Sequence, residues 1–176
     1  RINVFPVPDG DTGSNLALTV QAVSARLEGV RERDVSTVAH QAAEAAVLGA
    51  RGNCGMMLSQ VLLGFAEHLQ GRIRVSTVDL AEALSAGARR LQAALESPVE
   101  GTILTVVRDT AQAGVRAEAG DVAAFVSELV EEARESLART PDLLPVLRIA
   151  GVVDAGAKGF VSVLEGVLLY IAGDPL

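Results

Sequence analysis

"TVAHQAAEAAVLGARGNCGMMLSQVLLGFAEHL", residues 37–69, decides the fold class. Its first part, 37–49, is rich in alanine and has high helix propensity. Its last part places Leu58, Val61, Leu62, Phe65 and Leu69 at helical spacing, one apolar stripe along one face. Between them lies a joint carrying Gly49, Gly52 and Gly55. Two helices with a short glycine-rich connection form a helical hairpin, so neighbouring helices are expected to run antiparallel.

The pattern continues in both directions. Upstream, Leu16, Val20, Val23 and Leu27 recur at helical spacing. Downstream, "STVD" at 76–79 reads as a capping box that opens a helix carrying Leu80, Leu84, Ala88, Leu91 and Leu95. Residues 102–116 read as another helix, although the β-branched run "ILTVV" at 103–107 would also suit a strand. Residues 122–138 carry Val122, Phe125, Val126, Leu129, Ala133 and Leu137. Pro141 is expected to start a short helix ending near Gly151. The last helix, about 157–172, is apolar on most sides and is expected to be central. No alternating strand pattern or Asn-Gly hairpin competes. The expected fold is all-α, seven or eight antiparallel helices in a single domain spanning 1–176.

Composition narrows the function. Of 176 residues 49% are hydrophobic but only 3% aromatic, so the core is built from Ala, Val and Leu, small enough for close helix approach. The net charge of −7 disfavours a general nucleic-acid surface. Cys54 is the single cysteine, which excludes an intrachain disulfide and fits a reducing, cytoplasmic setting. The most apolar stretch, 160–172, is interrupted by Glu165 and Gly166 and is short for a span, so no stable membrane insertion is expected. The chain opens on Arg1 rather than Met and reads as a piece of a longer protein.

Four glycine-rich joints, at 8–13, 49–55, 98–101 and 151–159, each precede a helix. Helix N-termini offer N–H groups and partial positive charge to anions. At the first joint, Asp9 and Asp11 flank Gly10. Two carboxylates on a tight turn suit Mg²⁺, which takes a few protein oxygens together with waters and phosphate oxygens. An ordinary Asp-Gly turn at a helix start explains the same residues. The second joint lacks the Gly-Lys-Ser/Thr ending of a Walker loop, and no strand precedes it as a dinucleotide fingerprint would require. Thr102 and Asp154 read first as helix caps. Cys54 has no evident partner base, and neither His40 nor His68 sits in a metal-ligand pattern.

Together the motifs are more specific than any one. "NVFPVPDGDTGSN" at 3–15, "GARGNCGMMLSQ" at 49–60, "PVEGTILTVVRD" at 98–109 and "GVVDAGAKGF" at 151–160, in this order, resemble the nucleotide-binding domain of the dihydroxyacetone kinase superfamily. The form of the first motif is most similar to the N-terminal kinase domain of bacterial fatty acid kinase A-type proteins. The resemblance covers nearly the whole chain. It implies an antiparallel barrel of about eight helices that binds ATP or ADP with Mg²⁺ at one end. The family's first helix normally precedes the Asn-Val-Phe-Pro segment, so the chain is expected to lack it. The barrel would then be open on one side or closed by a neighbouring molecule, which makes a homodimer one expected assembly.

The resemblance also implies roles. Asp9 and Asp11 match the magnesium loop and are the expected catalytic pair. Relatives carry a third, upstream aspartate, for which Asn3 is the nearest substitute and the expected third metal ligand. Thr12, Ser14 and Asn15 fall where a helix N-terminus approaches phosphate. Gly52, Asn53 and Cys54 match the phosphate-contacting glycine loop, where serine is usual at position 54. Gly101, Thr102, Asp154 and Gly156 match loops around the nucleotide. The implied activity is phosphoryl transfer to the carboxylate of a fatty acid delivered by a carrier protein. The alternatives are the nucleotide-binding subunit of a dihydroxyacetone kinase, and an ADP- or ATP-binding docking module without turnover of its own.

Overall fold

The computed structural model describes residues 2–173, and the described residues form eight helices and no strand. They are α1 (Thr12–Leu27), α2 (Val35–Gly49), α3 (Gly52–His68), α4 (Thr77–Ala94), α5 (Ile103–Arg116), α6 (Val122–Leu143), α7 (Pro145–Ala150) and α8 (Ala155–Ala172). They divide into two compact units, one comprising Asp11–Glu96 and the other Arg1–Gly10 with Ser97–Leu176.

The first unit holds α1 to α4, with α2 against α1, α3 against α2 and α4 against α3. Side-chain pairs fix the direction of the last two: His68 meets Glu82, while Gln60 accepts from Arg90. As numbers fall along α3 they rise along α4, so the two run antiparallel. Their close approach depends on Gly64 and Gly87. A methyl on Gly64 would lie 2.6 Å from the Ala86 carbonyl oxygen, and one on Gly87 would lie 2.6 Å from that of Val61. Each helix end has a local cause. Asp34 caps α2 by accepting from the Thr37 N–H at 2.7 Å. Ser76 and Asp79 make the reciprocal capping box that the sequence signalled.

The second unit packs α5 and α8 on α6 and adds the short α7. The run Ile103–Val107 is helical, and all five of its side chains are buried. Burial on every side rewards large aliphatic groups in either backbone, so tertiary packing overrides β-propensity here. Two expectations are corrected. Pro141 lies inside α6 and opens no helix; Pro145 is the first residue of α7. A proline at 141 removes the N–H that would bond the Leu137 carbonyl. The Thr140 hydroxyl donates to that same carbonyl at 2.7 Å, which lets α6 run on to Leu143. The last helix is also not central. Gly156, Ala157, Phe160 and Val161 form one buried stripe in its first half, but no described residue beyond Val161 is buried and Tyr170 is 76% exposed. Apolarity records composition; among the described residues, the long helices packed on α8 within its unit are α5 and α6.

With 18 residues and mean hydropathy 1.4, α8 is long and apolar enough by composition to cross a membrane. Its Glu165 is paired with Arg134 at 2.8 Å and lies 3.9 Å from Lys158, and its first half packs inside the unit. These are features of a domain helix.

Candidate nucleotide-binding site

In the unit Asp11–Glu96, the first turns of α1 meet the second glycine joint. Gly52 lies against Asn15, and a methyl on it would sit 2.6 Å from the Asn15 amide nitrogen. Gly52 also has φ +57, a conformation that glycine alone adopts cheaply. Thr19, fully buried on α1, lies at the crossing. Its hydroxyl donates to the Asn15 carbonyl at 2.9 Å and accepts the Arg51 N–H at 3.1 Å. Gly55 leaves room for that hydroxyl, into which a methyl at this position would run. The N-termini of α1 and α3 are therefore held together, which places Thr12, Ser14 and Asn15 in the same neighbourhood as Gly52, Asn53 and Cys54.

Capping separates α1 and α3 from α2, α4, α6 and α8, a trait they share with α5 and α7, which also start without a side-chain cap. Asp34, Ser76, Asp121 and Asp154 each use a side-chain oxygen to cap α2, α4, α6 and α8. The N-cap residues of α1 and α3, Asp11 and Arg51, make no side-chain cap hydrogen bond. Gly52 and Asn53, in the first turn of α3, are exposed, as are Gly13 and Ser14 in that of α1. Two adjoining helix starts without side-chain caps present a partial positive field suited to an anion with several oxygens.

The acidic loop runs immediately into α1. Asp9, Gly10 and Asp11 are exposed. Asn3 is 8% exposed, and its Nδ2 donates to Asp9 Oδ1 at 2.6 Å. Two oxygens without a shared proton would repel at that distance, so the amide nitrogen must face the carboxylate. Asn3 thus orients Asp9, and its carbonyl oxygen is the only side-chain atom it has to offer a cation. Among the described residues, no three His, Cys, Asp or Glu side chains gather into a ready metal cage. A Mg²⁺ here would draw on water and phosphate oxygens beyond the loop carboxylates, its ordinary habit. The hard-oxygen donors of Asp9 and Asp11 fit that ion.

In the unit Arg1–Gly10 with Ser97–Leu176, the third and fourth joints meet. Gly101, φ +79, fits against the last turns of α6: a methyl there would lie 2.9 Å from both the Thr140 carbonyl oxygen and the Leu144 nitrogen. Thr102 donates its hydroxyl to the Val99 carbonyl at 2.7 Å and makes no side-chain cap on α5. Asp154, 5% exposed, accepts from the Ala157 N–H at 2.8 Å. Its own N–H donates to the Thr140 hydroxyl at 3.1 Å. Burial raises its pKa above the ordinary carboxylate value, opposed by hydrogen bonds from the Ala157, Ile103 and Gly156 backbone. Asp154 therefore joins the starts of α8 and α5, the cap its sequence context suggested, and Gly156 is buried beside it. Glu100, one residue ahead of Gly101, accepts from Thr105 and from both terminal nitrogens of Arg108. These bonds, led by that from Arg108, hold its pKa below the usual value.

Sequence reading found each joint but missed the groups that lock them. Thr19 and Thr140 are single hydroxyls inside helices, and no motif marks them. Their signal is indirect: a threonine one turn after Asn15, and a threonine directly before an intrahelical proline.

A sequence model of the DAK2 domain matches residues 6–169. Protein YloV of Bacillus subtilis is 42% identical over 175 residues, which cover 98% of this chain and 32% of that protein. An uncharacterised Staphylococcus epidermidis protein is 39% identical over the same extent, and so is one from Staphylococcus aureus. The chain thus spans about a third of the length of these relatives. With the match running through all four glycine joints, the chain belongs to the DAK2 domain family, dihydroxyacetone-kinase-like nucleotide-binding domains.

Proposed function

We propose that this domain binds Mg-ATP and supports transfer of its terminal phosphoryl group to the carboxylate of a fatty acid presented by a carrier protein. The observation that carries the nucleotide part is the meeting of two helix starts without side-chain caps, those of α1 and α3, the first of which directly follows an exposed pair of carboxylates. Phosphate oxygens would accept from the first turns of α1 and α3, at Thr12, Ser14, Asn15, Gly52, Asn53 and Cys54. At position 54 the backbone N–H does the work that a serine hydroxyl would share. Asp9 and Asp11 would hold Mg²⁺, with Asn3 fixing the first of them and adding its carbonyl oxygen to the set. When bound, the ion would neutralise charge on the phosphates. Gly101, Thr102, Asp154 and Gly156 remain in this reading as residues of nucleotide loops.

A carboxylate acceptor is supported by chemistry. It is already ionised at neutral pH, so the domain needs no general base to activate it. Catalysis then rests on holding the phosphates and offsetting charge on the transferring group. A hydroxyl acceptor such as dihydroxyacetone would ask for a base, and neither histidine lies in these joints: His40 is within α2 and His68 is beside Glu82 at the end of α3. The experiment supplies the full-length protein with Mg-ATP and either carrier-bound fatty acid or dihydroxyacetone, and traps acyl phosphate with hydroxylamine. Hydroxamate formed only with the carrier-bound acid supports the proposal; phosphorylation of dihydroxyacetone alone, or nucleotide binding without transfer to either, overturns the acyl part.

A further inference from the structure

We infer that Thr19 is a positioning residue for the phosphate loop: its buried hydroxyl ties the α3 start to the first turn of α1 and so sets where the loop's N–H groups point. The inference rests on the nucleotide reading above. Thr19 is fully buried, yet its hydroxyl uses both its donor and an acceptor position on backbone groups that flank the proposed phosphate site. It donates to the carbonyl of Asn15, in the first turns of α1, and accepts from the N–H of Arg51, the residue just before Gly52. Without it, Arg51 would lose the side-chain partner for its N–H. The surroundings are shaped to this one hydroxyl. Gly55, one turn into α3, is buried against it, and Gly49, at the end of α2, packs on Ala22 one turn further along α1. Serine could supply the same bonds. Valine has the same shape but supplies neither, and would leave the loop held by apolar contact alone.

Calorimetric titration of the full-length protein with ADP and Mg²⁺ tests this, with Thr19→Val, Thr19→Ser and Gly55→Ala as variants. Thr19→Val is expected to weaken ADP binding about tenfold, and Thr19→Ser to stay within about threefold of wild type. Gly55→Ala, which pushes a methyl into the hydroxyl, is expected to weaken binding as valine does and serves if Thr19→Val does not fold. Gly87→Ala is the control. It strains the α3–α4 contact against Val61, away from the joint, and should lower the melting temperature without changing ADP affinity. Amide hydrogen exchange supplies a readout without nucleotide: residues 51–54 should exchange faster in Thr19→Val while α4 is unaffected. Unchanged ADP affinity in Thr19→Val and Gly55→Ala, or a serine variant as weak as valine, overturns the inference and leaves the nucleotide reading standing. Wild-type protein that binds no ADP sinks that reading; unchanged exchange at 51–54 sinks the lock itself.

Discussion

Gly101→Ala should be among the most damaging single-methyl additions in the unit that contains α5 to α8. Two separate costs add. Gly101 has φ +79, and an L-residue held in the left-handed region costs about 1–2 kcal/mol. The new methyl would also lie 2.8 Å from Leu144 Cβ and 2.9 Å from the Leu144 nitrogen and the Thr140 carbonyl oxygen. Two of these are backbone atoms near the end of α6, so relief requires moving the helix; overpacking of this kind costs about 1–3 kcal/mol. The sum, roughly 2–5 kcal/mol, is a large part of the total of about 5–15 kcal/mol that typical domains have. Gly166→Ala is the matched control in the same unit. It lies inside α8 with open space around the added carbon, so alanine should stabilise by about 0.5–1 kcal/mol. Urea unfolding of both variants reads the difference. A Gly101→Ala midpoint equal to wild type, or a destabilised Gly166→Ala, would refute this use of backbone conformation and space.

Asp154→Asn separates capping from charge. Burial raises the folded-state pKa of Asp154, so its titration contributes stability that is present below the unfolded pKa and lost as pH rises through the folded value. Stability of wild type minus that of Asp154→Asn should therefore fall as pH rises from about 4 to 7; a difference that grows with pH, read by urea unfolding, contradicts the assignment. Asp154→Ala removes the α8 cap altogether and should cost about 1–2 kcal/mol by the same assay at pH 7; no loss would mean the cap contributes nothing. Thr140→Val should destabilise by about 1–3 kcal/mol, because the Leu137 carbonyl beneath Pro141 and the Asp154 N–H both lose their hydroxyl partner; thermal unfolding at wild-type temperature would refute it.

How much of this was legible in the sequence varies with the kind of force involved. Periodic apolar stripes and the Ser76–Asp79 box marked helices with little ambiguity, because helical spacing and a four-residue cap are local signals. "ILTVV" was ambiguous, because only the burial of all five side chains decides between helix and strand there. Pro141 misled as a helix start, since the hydroxyl that rescues the broken bond belongs to its neighbour and acts through geometry. α8 misled as a central helix because composition does not count neighbours. At the candidate site, the glycine joints were plain and their residues could be named. That the start of α1 meets the second joint, and the third joint the fourth, follows from topology. The bonds that fix those meetings, from Thr19 and Thr140, connect residues 14 to 32 positions apart and leave no local trace.

The central claim is that the acidic loop and the α1 and α3 starts bind nucleotide through a divalent ion. Calorimetric titration with ADP, with and without Mg²⁺, on wild type and Asp11→Ala tests it most directly. The account predicts ADP binding to wild type that tightens at least tenfold with Mg²⁺, and loss of that Mg²⁺ effect in Asp11→Ala. Equal, magnesium-dependent ADP affinity in wild type and Asp11→Ala would contradict it.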